Sequence, residues 1–306
     1  MMKDSPFFKQ AELMVRVIPH VAAEKCFALK GGTAINLFVR DMPRLSVDID
    51  LTYLPIEPRG PSLKNMTDAL KRVAASIKQA MPMVKVHESY LRGTKRVAKL
   101  FVGNQQAQIK IEPNEVIRGT VFPCIERDLS ENAEELFGLS ASINTLSSAD
   151  LYGGKLCAAS DRQHPRDLFN IKILMDEGKI TNDIRRAFVV YLASHDRPIN
   201  ELIDPTRKDI RHVYEREFAG LTSVPIRYED LIAAREKFIG ILKRDLTEHE
   251  RNFLLSLKEG QPKWSLMEIE GIDRLPAIQW KLTNIHSMTR KKHAESLAKL
   301  KAKLGL

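Results

Sequence analysis

Cysteine is scarce in this chain, three in 306 residues, and Cys26, Cys124 and Cys157 lie far apart with no Cys-x-x-Cys and no Cys/His cluster. A disulfide framework and an encoded zinc site are therefore excluded, and a reducing cytoplasm is the expected compartment. Long apolar runs are missing as well. The longest, residues 187–193, is far short of the roughly 20 needed to cross a bilayer, so no membrane partner is expected. Near the start, Lys9, Glu12 and Arg16 interrupt the apolar stretch that follows Met1-Met-Lys-Asp-Ser-Pro6, which reads as an amphipathic helix and not a secretion signal. Internal repeats and low-complexity linkers are also lacking, so the parts of the chain are expected to pack closely. What is present is 43% hydrophobic residues, enough to offset the entropy of ordering; this excludes intrinsic disorder and suits a globular chain of about two domains.

Charge is unbalanced. Lys and Arg number 48 against 39 Asp and Glu, a formal net of +9, which favours a polyanionic partner such as nucleic acid or nucleotide phosphates. Residues 286–306 concentrate part of this excess: Arg290, Lys291, Lys292, Lys299, Lys301 and Lys303 face one acid, Glu295. Interleaved Ala and Leu make the segment a basic helix, open to two readings, a solvated C-terminal face or a grip on RNA.

Hydrophobic periodicity divides the chain in two. Helical spacing over 6–24 precedes a short strand at 26–29, then Lys30-Gly31-Gly32-Thr33 and a turn or two of helix over 34–39. Residues 45–51 alternate apolar and polar with period two and read as a half-buried strand. A helix over 62–80 follows, then strands at 84–89, 96–102 and 107–112, the last two joined by the hairpin signal Gly103-Asn104. Beyond about residue 127 the pattern is helical almost throughout, including 149–160, 167–177, 183–194, 228–245 and 248–258. The expected class is α+β, with a mixed-sheet domain at 1–126 and a mainly helical domain at 127–306.

The chemistry concentrates in Lys30-Gly31-Gly32-Thr33 followed by Arg44-Leu-Ser46-Val-Asp48-Ile-Asp50. In the strand, Ser46, Asp48 and Asp50 project to one side, so two carboxylates stand about 7 Å apart, a repulsion that a divalent cation relieves. Gly31 and Gly32, before a helix, offer backbone N–H groups and the positive end of the helix dipole to a phosphate, and Thr33 adds a hydroxyl. A phosphate cradle and a carboxylate pair a dozen residues apart describe a site for a nucleoside triphosphate with magnesium. Glu112 shares a strand face with Gln108 and Lys110 and is the candidate third carboxylate; the competing reading is an edge-strand acid with a lysine partner. Downstream, Lys155 and Arg162 lie on one helix face with the small residues Gly153, Gly154, Ala158 and Ala159, and Pro165 opens a second helix with Arg166 and Asp167 in its first turn. Lys155 also admits a bland reading, a surface lysine paired with Asp150 or Asp161.

Lys-Gly-Gly-Thr, Arg-x-Ser-x-Asp-x-Asp, Lys-x-Glu and a helical lysine followed by Pro-Arg-Asp together resemble the AbiEii/AbiGii toxin family. These are DNA polymerase beta-like nucleotidyltransferases of bacterial type IV toxin–antitoxin and abortive-infection phage-defence systems, with the mycobacterial MenT toxins as relatives. The resemblance implies that Gly31, Gly32 and Thr33 form the phosphate-binding turn and that Asp48 and Asp50 bind metal, with Glu112 in the third-carboxylate place. It also implies that Lys155 is the catalytic or triphosphate-binding lysine and Asp167 the C-terminal aspartate that orients it or a neighbouring arginine, with Ser46, Arg44, Arg162 and Arg166 near the nucleotide. Two magnesium ions, with manganese as the substitute, are implied cofactors, and the implied partners are an NTP, a tRNA 3′ end or other RNA, and a separately encoded antitoxin. Two other functions fit the same residues: nucleotidyl transfer to a protein or small molecule, and an idle fold that only binds RNA or a partner.

Overall fold

The computed structural model describes residues 5–306; the opening residues 1–4, part of the segment read above as no secretion signal, lie outside the described residues. The chain forms two compact units. One runs up to Ser147 and includes Gly220–Pro225; the other comprises Ser148–Ala219 and Ile226–Leu306.

In the first unit, Ser5 accepts a hydrogen bond from the Phe8 amide at 3.1 Å and Pro6 occupies the first turn, so helix α1 (Pro6–Ala22) starts on residues already shaped for it. Its stripe of Phe8, Ala11, Met14, Val15 and Ile18 is buried. Strand β1 (Phe27–Lys30) passes directly into helix α2 (Gly31–Ala34), which continues as a π-helical turn over Ile35–Val39. There follow β2 (Asp48–Tyr53), α3 (Arg59–Ala80), β3 (Lys85–Tyr90), β4 (Val97–Gly103), β5 (Gln108–Asn114), β6 (Ile125–Asp128), α4 (Glu131–Phe137) and β7 (Ser142–Thr145). The strands make one mixed sheet in the order β3-β4-β5-β2-β1-β7-β6, in which β2 is parallel to β5 and antiparallel to β1. Ile49 and Leu51 of β2 are fully buried, α1 touches this strand, and alternation turns Asp48 and Asp50 to the opposite face.

Three features differ from the sequence reading. Strand β2 begins at Asp48 and not at residue 45, because the Leu45 amide donates to the Leu221 carbonyl at 3.0 Å and Arg44 bridges Thr222. Helix α3 begins at Arg59, since Pro61 falls in the first turn, where a proline forfeits no helical hydrogen bond. The expected boundary at residue 126 lies after Ser147, because β6 and β7 pair with each other and β7 joins the sheet parallel to β1.

Every regular element of the second unit is helical among the described residues: α5 (Ser148–Arg162), α6 (Pro165–Asp176), α7 (Asn182–Ser194), α8 (Ile199–Ile203), α9 (Arg211–Glu217), α10 (Tyr228–Asp245), α11 (Glu248–Glu259), α12 (Pro276–His286) and α13 (Arg290–Leu304), with short 3-10 turns before α12. No helix among the described residues is long and apolar enough to cross a membrane. All three cysteines are free thiols, and burial pushes Cys157 up to about 12.

Helix α5 packs most closely on α7. A Cβ on Gly153 would stand 2.7 Å from Ala187 Cβ and 2.8 Å from the Phe188 nitrogen, whereas one on Gly154 would meet the Tyr191 ring at 3.6 Å. Gly153→Ala must force the helices apart and should destabilise the protein by about 1–3 kcal/mol. Gly154→Ala fits and removes backbone freedom from the unfolded chain, so it should be neutral or stabilising by up to about 1 kcal/mol. Thermal melts should therefore show a lowered Tm for Gly153→Ala and an unchanged or raised one for Gly154→Ala.

Candidate active site

The turn between β1 and β2 is built without side chains because its neighbours leave no space for them. Gly31 has φ +74°, which glycine adopts without strain, and a Cβ there would lie 2.8 Å from Asp50 Oδ2. On Gly32 a Cβ would lie 2.6 Å from an Arg44 guanidinium nitrogen and 3.1 Å from Ser46 Oγ. Arg44 is buried, with a second guanidinium nitrogen donating to its neighbour's carbonyl, Leu45 O, at 2.7 Å. Thr33 is only 1% exposed. Its hydroxyl is hydrogen-bonded to the Asp48 carbonyl and to Ser46 Oγ, so it fastens the start of α2 to β2 instead of facing outward. Asn36, also buried, donates from Nδ2 to Gly32 O at 2.6 Å and secures the same turn.

Beside this turn, the parallel ladder of β2 and β5 aligns Asp48 with Lys110 and Asp50 with Glu112, which puts all four side chains on one face. Lys110 Nζ lies 2.7 Å from Glu112 Oε2, and Lys99 Nζ lies 3.3 Å from Glu112 Oε1. Burial pushes the Glu112 carboxyl up, but the two lysines outweigh it and hold the group below the usual glutamate range. Burial also opposes the charge on Lys110, yet Glu112, Asp48 and Asp50 together raise it above an ordinary lysine. The expected trio of metal ligands is accordingly not gathered: among the described residues no three His, Cys, Asp or Glu side chains converge, since Glu112 is turned to its lysines. Asp48 and Asp50, hard oxygen donors on one strand face, fit a divalent cation, and the bare Cα of Gly31 leaves the Asp50 carboxylate its place.

The second unit holds a separate charged cluster. Lys155 Nζ lies 2.9 Å from Asp167 Oδ1, and Arg162 bonds both oxygens of the same carboxylate. Asp167 is 0% and Lys155 6% exposed in the side chain. Burial alone would push the Asp167 carboxyl up; Lys155 and Arg162 overcome it and hold the group far below the usual carboxylate range. Arg162 ends α5 and Asp167 lies in the first turn of α6, which Pro165 opens, so a short connection between the helices brings this pair together.

Over residues 12–284 the sequence matches the nucleotidyl transferase AbiEii toxin family of type IV toxin–antitoxin systems. The chain belongs to this family. It is thus an AbiEii nucleotidyltransferase toxin, of an enzyme class that uses a nucleoside triphosphate and a divalent metal, and of a system that includes a cognate antitoxin. Its fold is similar to that of MenT4, a nucleotidyltransferase toxin from Mycobacterium tuberculosis H37Rv, with a TM-score of 0.63 and 14% identity over 98% of this chain and 95% of that one. No curated protein matches by sequence.

In this AbiEii toxin the structure brings Gly31, Gly32, Arg44, Ser46 and Asp50 together in the first unit, with Asp48 on the same strand face, and Lys155, Arg162 and Asp167 together in the second. Arg166 is directed elsewhere, 3.6 Å from Glu217 of α9. Asp150 and Asp161, the bland partners for Lys155, are bonded to Tyr191 and Arg197 respectively. Sequence reasoning missed Lys99 and Asn36. Lys99 was recoverable from the hairpin, because pairing Leu100 with Ile111 puts Lys99 beside Glu112.

Asp167→Asn leaves the Lys155 ammonium buried against a neutral amide and should lower stability by about 3–5 kcal/mol. The pH dependence has a definite sign. A carboxyl depressed in the folded state contributes fully above its unfolded value near 3.9 and loses that contribution as pH falls toward the folded value. The gap in Tm between wild type and Asp167→Asn should therefore be constant above about pH 5 and narrow below about pH 4.

Proposed function

We propose that this toxin transfers a nucleoside monophosphate from an NTP to the 3′ end of a tRNA with magnesium, and that the altered tRNA no longer supports translation. The observation that carries the reading is the Gly31–Gly32 turn, wedged between the Asp50 carboxylate on one side and the Arg44 guanidinium on the other. Phosphate and divalent cation would then have adjoining places. The reaction is attack of a hydroxyl on the α-phosphorus with departure of pyrophosphate.

Asp48 and Asp50 would hold the metal, which when bound lowers the pKa of the attacking hydroxyl and neutralises charge growing on the α-phosphate. The backbone N–H groups of Gly31 and Gly32, with Arg44 against the turn, would bind phosphate oxygens. Lys155 would supply a further cation for the triphosphate, with Asp167 fixing its ammonium in place. The reaction would take place in the cytoplasm, where the acceptor is found, and would serve phage defence by halting translation.

Helix α13 supports an RNA acceptor. Leu300 and Leu304 are buried, and Arg251 donates to the Leu304 carbonyl at 3.0 Å, so the helix is docked within its unit. Lys303 is committed to Asp204 at 2.6 Å. Arg290, Lys291, Lys292, Lys299 and Lys301 are exposed and have no carboxylate partner among the described residues. Three of them stand in the first helical turn, where the dipole disfavours cations and no acid compensates.

Incubation with labelled NTPs, magnesium and total RNA tests the chemistry: wild type should label tRNA 3′ ends and Asp48→Ala should not. RNA left unlabelled by wild type, label that survives nuclease but not protease, or equal labelling by Asp48→Ala would overturn the reading. The surface is tested by replacing Arg290, Lys291 and Lys292 with Ala, which spares the buried leucines that truncation would remove. RNA affinity should fall, and the slope of log affinity against log salt should flatten by about 2, as expected for three lost phosphate contacts.

A further inference from the structure

We propose that Lys110 is the resting counter-ion of the carboxylate row on β2 and β5, that it draws Glu112 away from the metal place and weakens divalent binding to the nucleotide-free enzyme, and that the triphosphate releases it. The inference rests on the reading of Asp48 and Asp50 as the metal pair.

Register puts Lys110 beside Asp48 and Glu112 beside Asp50, so an ammonium and three carboxylates share one patch of the sheet face. Both Glu112 oxygens are taken, one by Lys110 at 2.7 Å and the other by Lys99 at 3.3 Å. Glu112 would ligate a cation beside Asp50 only in competition with these two ammonium groups. Stability does not account for the arrangement: all three side chains are about one-third exposed, 31–36%, and ion pairs at that exposure add little. Nor does Glu112 need two lysines for neutrality. The surplus charge instead offsets Asp48 and Asp50, which otherwise repel each other and attract a divalent ion strongly even without nucleotide.

An NTP carries several negative charges and offers Lys110 new oxygen partners. Once Lys110 turns to phosphate, the Oε2 atom of Glu112 is freed while Lys99 keeps Oε1, and the carboxylate row gains affinity for metal. Metal and nucleotide would then bind cooperatively, each raising the affinity of the other by the same factor. A site organised in this way stays weakly loaded until substrate arrives.

Calorimetric titration of Mn²⁺ into nucleotide-free protein is the test, with wild type, Lys110→Gln and Asp48→Asn compared and circular dichroism used to verify that each is folded. Lys110→Gln should bind Mn²⁺ on the order of tenfold more tightly than wild type at low salt, the effect of one unit charge on a divalent ion a few ångströms away in a water-like dielectric. A non-hydrolysable NTP analogue should improve Mn²⁺ affinity more in wild type than in Lys110→Gln. Equal or weaker Mn²⁺ binding by folded Lys110→Gln overturns the proposal. Unchanged binding by Asp48→Asn is a different failure, because it removes the metal pair itself and the inference with it.

Discussion

The Asp50 carboxylate lies 2.8 Å from the point where a side chain on Gly31 would begin, and the Arg44 guanidinium lies 2.6 Å from the same point on Gly32. An anion and a cation thus press on two consecutive residues that have nothing to offer but backbone. The first unit is arranged to keep that wedge closed. Thr33 ties the helix start to the Asp48 carbonyl, Asn36 ties the next turn to Gly32, and the Leu45–Leu221 hydrogen bond holds the segment that leads to Asp48. A hydroxyl that sequence alone offers to a ligand is spent on fixing the distance between turn and strand.

The second unit meets a related constraint by burying its charges. Asp167 is fully enclosed, and an enclosed carboxylate is tolerable only with partners, which Lys155 and Arg162 supply on both oxygens. Such a cluster is weak as a means of stability, since well-packed apolar residues of similar volume do as well or better. Its value lies in position. An ammonium on a flexible four-carbon stem acquires a single location when a buried carboxylate holds it.

Period-two alternation made β2 legible, and with it the common face of Asp48 and Asp50; helical periodicity likewise exposed α1, α7, α10 and α11 nearly to their ends. The errors have physical causes. Glu126-Arg127-Asp128 of β6 has no apolar face, because an edge strand need not bury one, so neither the strand nor the true limit of the first unit could be read locally. Leu45 fitted the strand alternation, and its true partner, Leu221, lies too far along the chain to be read locally. Glu112 was found by alternation, yet its two lysines depend on cross-strand register, which a single strand does not reveal. Asp167 was legible only through family motifs: no periodicity distinguishes a buried aspartate in a first helical turn from an exposed one.

The excess of 48 basic over 39 acidic residues need not form a uniform positive coat. Several carboxylates each attract more than one cation: Asp167 takes Lys155 and Arg162, Glu112 takes Lys99 and Lys110, and Asp204 takes Arg207, Lys243 and Lys303. A carboxylate neutralises one of its partners and only positions the others, so each cluster fixes more positive charge than its own shared carboxylate offsets. Fixed cations recognise a phosphate more selectively than mobile ones, because the entropy of holding them is already lost on folding. On α13 the arrangement is reversed, with five exposed cations on long side chains and no ion pair to hold them among the described residues. That suits a repeating backbone of phosphates, for which adaptability along the chain matters more than a single defined distance.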